Sequence, residues 1–204
     1  MSDKINRLLI ATGNKGKLKE VESFLRNHSL KLLTLSDFAP LHEPEETGET
    51  FSDNAILKAV YYSISTNTWT IADDSGLEVD ALGGRPGVYS ARYAGEGATD
   101  ADKIIKLLSE LKKVSNEKRM ARFVSSVAFC SPDGELITVT TGKCEGQIAF
   151  EPKGTNGFGY DPVFIPAGYD KTFGELSNDI KGAISHRANA LKKFSLFLKD
   201  FLVS

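Results

Sequence analysis

The sequence predicts an α/β fold with sheet and helices interleaved along the chain, and three observations carry that prediction. The apolar run Arg7-Leu8-Leu9-Ile10-Ala11, a glycine-containing turn, a helical stretch and a second short apolar run over residues 30–35 make a β-α-β unit. Trp69-Thr70-Ile71 reads as a buried strand that gives way to Ala72-Asp73-Asp74-Ser75-Gly76, so two carboxylates stand where an α/β sheet presents chemistry. Residues 123–129 and 136–141, joined by the turn Ser131-Pro132-Asp133-Gly134, read as an antiparallel hairpin.

Composition narrows the function classes. The 204 residues, 41% hydrophobic and 25% charged, suit one soluble domain, and the interleaved elements favour two lobes around a cleft over separable domains. A net charge of −2 gives no general attraction to nucleic acid, so any anion site must be local. Cys130 and Cys144 have no zinc-like spacing with His28, His42 or His186 and read as packing residues. No apolar run is long enough to span a bilayer, and a cytoplasmic setting is expected.

In chain order, Thr12-Gly13-Asn14-Lys15-Gly16-Lys17 follows the first strand and opens a helix expected over residues 15–27, with Leu18, Val21, Phe24 and Leu25 on its apolar face. A glycine-rich turn at a helix start gathers free N–H groups and offers an anion site, although the P-loop pattern is absent. A solvated, lysine-rich helix start is the other reading. Residues 40–50 form an acidic loop with Glu43, Glu45 and Glu46, either solvated or turning one carboxylate inward to a hard cation. In the next helix, capped by Thr50 or Ser52, Asn54 and Lys58 are four apart and share a face beside the stripe of Ile56, Val60 and Ile64.

Asp73 and Asp74 are neighbours on an extended segment and point to opposite faces, so they are expected to divide their roles; taken alone, Asp73-Asp74-Ser75-Gly76 also reads as an Asx-turn or helix cap. A helix is expected over residues 99–111, and the chain is expected to bend at residues 142–146 toward a further strand at 147–150. Gly154-Thr155-Asn156-Gly157-Phe158-Gly159-Tyr160-Asp161-Pro162 lacks a dinucleotide fingerprint but suits a planar ligand, with Phe158 or Tyr160 stacking on a base. His186 and Arg187 sit in the first turn of the last helix, where cations oppose the dipole, and donation to a ligand is one reason to place them there.

Six segments in order carry a resemblance: Thr12-Gly13-Asn14-x-Gly16-Lys17, Phe51-x-x-Asn54-Ala55-x-x-Lys58-Ala59, Ala72-Asp73-Asp74-Ser75-Gly76, Gly83-Gly84-x-Pro86-Gly87-x-Tyr89-Ser90-Ala91-Arg92-Tyr93, Gly157-Phe158-Gly159-Tyr160-Asp161-Pro162 and Ile184-Ser185-His186-Arg187. Over residues 8–198 the chain resembles the inosine/xanthosine triphosphate pyrophosphatase family of bacterial type. The resemblance implies an elongated mixed central sheet with flanking helices and two lobes around a long active-site cleft. It further implies a homodimer that uses Mg²⁺ to hydrolyse the α–β phosphoanhydride of non-standard purine nucleoside triphosphates. By the same resemblance Thr12, Gly13, Asn14, Lys15, Gly16, Lys17, Asn54 and Lys58 receive the triphosphate. Asp74 binds the metal and accepts a proton, and Glu45, with Glu46 as second choice, shares the metal. Ser75, Phe158, Gly159, Tyr160, Asp161, Lys181, His186 and Arg187 match nucleoside-binding positions.

Base selection follows from hydrogen-bond sense. Inosine and xanthosine present a carbonyl at C6, whereas adenine presents an amino group, so donors such as His186 and Arg187 favour the former. Two alternatives remain at this level: a related pyrophosphatase for modified pyrimidine nucleotides, and a nucleotide-binding module without turnover.

Overall fold

The computed structural model describes residues 5–26, 28 and 30–203. Six strands form one sheet in the order β2-β1-β3-β4-β5-β6: β1 (Arg7–Ile10), β2 (Lys31–Thr34), β3 (Thr70–Val79), β4 (Met120–Cys130), β5 (Leu136–Ile148) and β6 (Phe164–Pro166). β1 pairs in parallel with β2 and β3, while β5 pairs antiparallel with β6, so the sheet is mixed and the α/β expectation holds. The helices are α1 (Lys15–Leu25), α2 (Phe51–Thr66), α3 (Asp100–Glu110), α4 (Asn178–Ile184) and α5 (His186–Phe201). The expected end of α1 at Asn27 lies outside the described residues. Among the described residues no helix is long and apolar enough to cross a membrane.

The chain divides into two compact units. The first comprises Met1–Asp74, Ser125–Gly142 and Asn189–Ser204. Strand alternation sorts its core into two faces. Leu8, Ile10, Ile71, Val127 and Phe129 meet Val21 and Leu25 of α1 and Ala190, Leu191, Phe194 and Leu198 of α5. On the other face, Leu9, Ala11, Ala72, Ala128 and Cys130 meet Ala55, Ala59 and Tyr62 of α2. Fully buried alanines on α2 facing alanines on the sheet let the helix approach closely. That approach brings the polar side chains Asn54 and Lys58 down to the strand. The helix start is set by Thr50, whose Oγ1 accepts from the Asp53 N–H while the Asp53 carboxylate accepts from the Thr50 N–H.

The second unit comprises Ser75–Val124 and Lys143–Ala188. Its core gathers Leu77 and Val79 of β3, Leu107 and Leu111 of α3, and an aromatic group in which Phe164 lies 4.5 Å from Phe123 and 5.5 Å from Phe173. Burial pushes the thiols of Cys130 and Cys144 up to about 11, which leaves both protonated at neutral pH and fits packing roles.

Three strands run further than the sequence indicates, β3 and β5 most of all. The strand expected to end at Ile71 continues through Asp73, Asp74 and Ser75 to Val79. Carboxylates and glycine are poor strand formers, but here Lys17 and Lys58 pair with the two carboxylates and Arg187 donates to Ser75, and tertiary contacts outweigh propensity. β5 likewise runs unbroken through residues 142–146 to Ile148, in place of the expected bend and separate strand. Gly146 passes so close to β6 that a Cβ would overlap the Ile165 carbonyl, so this glycine serves close strand approach. A short helix that the sequence does not indicate, α4, ends at Ile184, and Ser185 is extended between it and α5, whose first turn carries His186 and Arg187 as expected.

Arg119, only 2% exposed, ties the second unit together. Its guanidinium donates to the carbonyls of Leu111 (2.8 Å), Ile148 (2.8 Å) and Ala149 (2.9 Å), and lies 4.4 Å from the Phe150 ring centre. Arg119→Met leaves three buried carbonyls without their donor and is expected to lower unfolding stability by roughly 2–5 kcal/mol. Urea titration measures it, and a loss below about 0.5 kcal/mol contradicts this account.

Candidate active site

The first unit builds an acidic and basic cluster on β3. β1 pairs with β3 only as far as Ile71, so Asp73 and Asp74 lie just beyond the reach of that neighbour. Alternation turns them to opposite faces, as the sequence predicts. Asp73 Oδ2 meets Lys17 Nζ of α1 at 3.1 Å, whereas Asp74 Oδ1 meets Lys58 Nζ of α2 at 3.2 Å. Asn54 Nδ2 donates to the second Asp74 oxygen at 3.3 Å, and Asn54 Oδ1 accepts from the Gly48 N–H at 2.7 Å. Lys58 Nζ also meets Glu46 Oε1 at 2.9 Å. One ammonium therefore holds two carboxylates, and one amide ties the acidic loop to the strand.

Adjacency in sequence left the choice between Glu45 and Glu46 open. Glu46 reaches Lys58, while Glu45 is exposed. Gly48 explains the tight loop: a Cβ there would press against Asp53 and Asn54.

Electrostatics distinguish Asp74 further. Burial pushes its carboxyl above its ordinary value, opposed by Lys58, with Glu46 adding to the rise. Burial works against the Lys58 charge, but Asp74, Asp73 and Glu46 outweigh it and hold the ammonium above its ordinary value. Among the described residues no group of three or more His, Cys, Asp or Glu is gathered in a metal-ligating arrangement.

The glycine turn before α1 is more self-contained than its composition implies. Asn14 caps the helix, its Oδ1 accepting from the N–H groups of Gly16 (2.8 Å) and Lys17 (3.1 Å). The Asn14 N–H in turn donates to Thr12 Oγ1 at 3.2 Å. Thr12 and Asn14 thus shape the turn, Gly13 and Lys15 are exposed at it, and Lys17 carries its charge to Asp73.

The second unit gathers the remaining candidates. Ser75, next on β3, accepts from Arg187 Nη2 at 2.8 Å, and Arg187 is 1% exposed. His186 stacks on Phe123 with ring centres 4.7 Å apart and is likewise buried. Lys181 Nζ meets Asp161 Oδ2 at 2.5 Å and lies 4.4 Å from the Phe158 ring centre, with the Arg187 guanidinium 5.8 Å from the same ring. The Phe158 N–H donates to Asp161 Oδ2 at 2.8 Å, and the Gly159 N–H donates to Asp100 Oδ2 at 2.7 Å.

Of the two aromatics offered for stacking, only Phe158 remains half-exposed. Tyr160 is 5% exposed and its hydroxyl donates to the Ser90 carbonyl at 2.9 Å, so its ring is a buried anchor rather than a stacking surface. The sequence does not single out Asp100, and it presents Ser90 only within a motif, because an Asp in a first helical turn and a Ser in a glycine-rich loop read as local structure.

The sequence profile of the Ham1 family matches residues 8–197. A dITP/XTP pyrophosphatase of Bacillus licheniformis is 50% identical over 194 residues, covering 95% of this chain and 98% of that protein. Its namesake in Bacillus subtilis is 51% identical over 191 residues, covering 94% and 96%. The solved structure of a HAM1 protein from Coxiella burnetii superposes with a TM-score of 0.89 at 39% identity, covering 96% of this chain and 100% of that one. The Staphylococcus aureus Ham1 protein gives a TM-score of 0.86 at 42% identity, covering 96% and 99%.

A stability prediction follows from the Asp74 environment. The folded protein binds the Asp74 proton more tightly than the unfolded chain does. This group therefore favours folding only at acid pH, and that contribution is lost as pH rises through the folded value. In metal-free buffer at pH 7, Asp74→Asn is expected to have a urea midpoint equal to or above that of wild type, with the gap closing on acidification. A midpoint clearly below wild type at pH 7 would show the Asp74–Lys58 pair to be a net source of stability instead.

Proposed function

The chain belongs to the Ham1 family, and from that premise we propose that it hydrolyses non-standard purine nucleoside triphosphates of the dITP and XTP kind. The bond broken is the α–β phosphoanhydride, and the products are a nucleoside monophosphate and pyrophosphate. The observation that supports the chemistry is the buried cluster in which Lys58 holds both Asp74 and Glu46 while Asn54 orients Asp74. The substrate class is supported by the names and high coverage of the relatives.

A divalent cation fits this donor set. Mg²⁺ is held through one or two carboxylates together with waters and substrate phosphates, so a converging pair is sufficient. Asp74 and Glu46 would hold it, Glu46 taking the place first expected of Glu45. When bound, the ion supplies positive charge to the phosphate oxygens and to the leaving pyrophosphate. Asp74, raised by burial, is suited to accept the proton of the attacking water, and its pKa shift favours that role. Lys58 and Lys17, each already paired with a β3 carboxylate, turn their charge toward the triphosphate together with Lys15 and the exposed Gly13 backbone. No covalent intermediate is required.

The second unit's cluster receives the nucleoside. Phe158 offers a ring face to the base. Lys181 and Asp161 fix that loop, Ser75 fixes Arg187, and Arg187 with His186 donates to a C6 carbonyl. Adenine presents a donor at that position and leaves the buried donors unsatisfied, which disfavours ATP.

Pyrophosphate release from ITP, XTP, GTP and ATP, with and without Mg²⁺, tests the reading. Turnover of ITP and XTP well above ATP, abolished by chelation, is expected; ligand binding without any turnover would establish the non-catalytic alternative. The base contacts are tested with two variants. Phe158→Ala is expected to lower kcat/KM for ITP and ATP by similar factors, because stacking is indifferent to the C6 group. Arg187→Ala is expected to narrow the gap between the two substrates by about 10–100-fold. Equal losses for both in Arg187→Ala would make that side chain structural.

A further inference from the structure

The loop that carries Phe158 is rich in backbone freedom. Gly154, Gly157 and Gly159 adopt φ values of 76°, 76° and 62°, so glycines flank the ring residue on both sides. Such a segment presents an aromatic ring in one direction only if its peptide planes are held from outside. Two carboxylates hold them. Asp161 Oδ2 accepts from the N–H of Phe158 itself, at 2.8 Å, and Asp100 Oδ2 accepts from the next N–H, that of Gly159, at 2.7 Å. The first bond sets the peptide plane before Phe158, and hence its φ. The second sets the plane after it, and hence its ψ. Together they fix the direction of the Cα–Cβ bond.

Asp161 belongs to the loop, but Asp100 does not. It is the first residue of α3, whose N-cap role is already filled by Thr99. Its other oxygen is held by Lys103 Nζ at 2.6 Å, one helical turn on, and this orients the carboxylate toward the loop. Burial works against its charge, but Lys103 and the Gly159 N–H outweigh that and hold the carboxyl below its ordinary value.

We propose that Asp100 is a positioning residue for base recognition, clamping the Gly159 amide so that Phe158 presents its ring to the purine. The proposal rests on the reading of Phe158 as the stacking residue. It predicts a selective defect. Asp100→Ala releases the plane after Phe158 and is expected to raise KM for ITP and for ATP by about 5–30-fold, the worth of one charge-assisted hydrogen bond in a partly exposed site. It is expected to leave kcat within about twofold, because the atoms that react are untouched. The ratio of kcat/KM between ITP and ATP stays at the wild-type value, since stacking ignores the C6 substituent. Asp100→Asn keeps an oxygen for the Gly159 N–H and restores most of the lost affinity.

The experiment measures kcat and KM for both substrates in wild type, Asp100→Ala, Asp100→Asn and Phe158→Ala. Inhibition by inorganic tripolyphosphate serves as a readout of the phosphate site, and thermal melting as a readout of the fold. A rise in KM alone, with unchanged tripolyphosphate inhibition and rescue by asparagine, supports the clamp. An unchanged KM in Asp100→Ala alongside a raised KM in Phe158→Ala overturns the clamp and leaves the stacking reading standing. An unchanged KM in both variants overturns both. Parallel losses of kcat, tripolyphosphate affinity and melting temperature make Asp100 a general support of the fold and also overturn the proposal.

Discussion

A carboxylate taken almost wholly out of water on a central strand needs a counter-charge, and much of the first unit is arranged to supply one to Asp74. Lys58 reaches it because α2 lies close to the sheet, and α2 lies close because Ala55 and Ala59 face Ala72 and Ala128. Asn54 reaches it because one helical turn separates Asn54 from Lys58. The same amide collects Gly48, so the acidic loop is anchored where Glu46 can share the ammonium. Small residues in the core and charged residues at the site are thus two parts of one packing solution.

The arrangement leaves Asp74 with a raised affinity for a proton rather than merely neutralised. Lys58 offsets the burial without cancelling it, and the carboxyl stays above its ordinary value. A group in that condition has a greater tendency to take up a proton than a solvated aspartate. Asp73 is treated differently on the opposite face, where Lys17 of α1 pairs with it beside the helix start. A single change of side along β3 separates two carboxylates that are neighbours in sequence into two electrostatic settings.

In the second unit, the polar side chains around Phe158 and Arg187 hold one another in place. Arg187 is braced by Ser75, and Lys181 by Asp161, whose carboxylate also grips the Phe158 amide. Such mutual bracing lowers the ordering required when a ligand arrives. Gly157 belongs to the same logic, because a Cβ there would overlap the Asp161 carboxylate. Tyr160 anchors the loop through the Ser90 carbonyl, leaving Phe158 the more exposed ring of the pair.

The opening β-α-β unit, the starts of α2 and α3 near Thr50 and Thr99, the opposite facing of Asp73 and Asp74, and the family are readable from the sequence, because each depends on local period, local hydrogen bonding or motif order. The length of β3 and β5 is not, since Asp-Asp-Ser-Gly and a glycine pair argue locally for a turn while neighbouring strands and paired side chains hold them extended. Nor is the choice of Glu46 over Glu45, or of Phe158 over Tyr160. In each pair two chemically similar residues stand one or two positions apart, and only the path of the folded chain decides which one meets Lys58 and which ring is buried. The sequence by itself determined which chemistry was on offer along β3 and the glycine loop. The tertiary structure decided which of those groups meet one another, because distance and burial across the fold are not properties of any short segment.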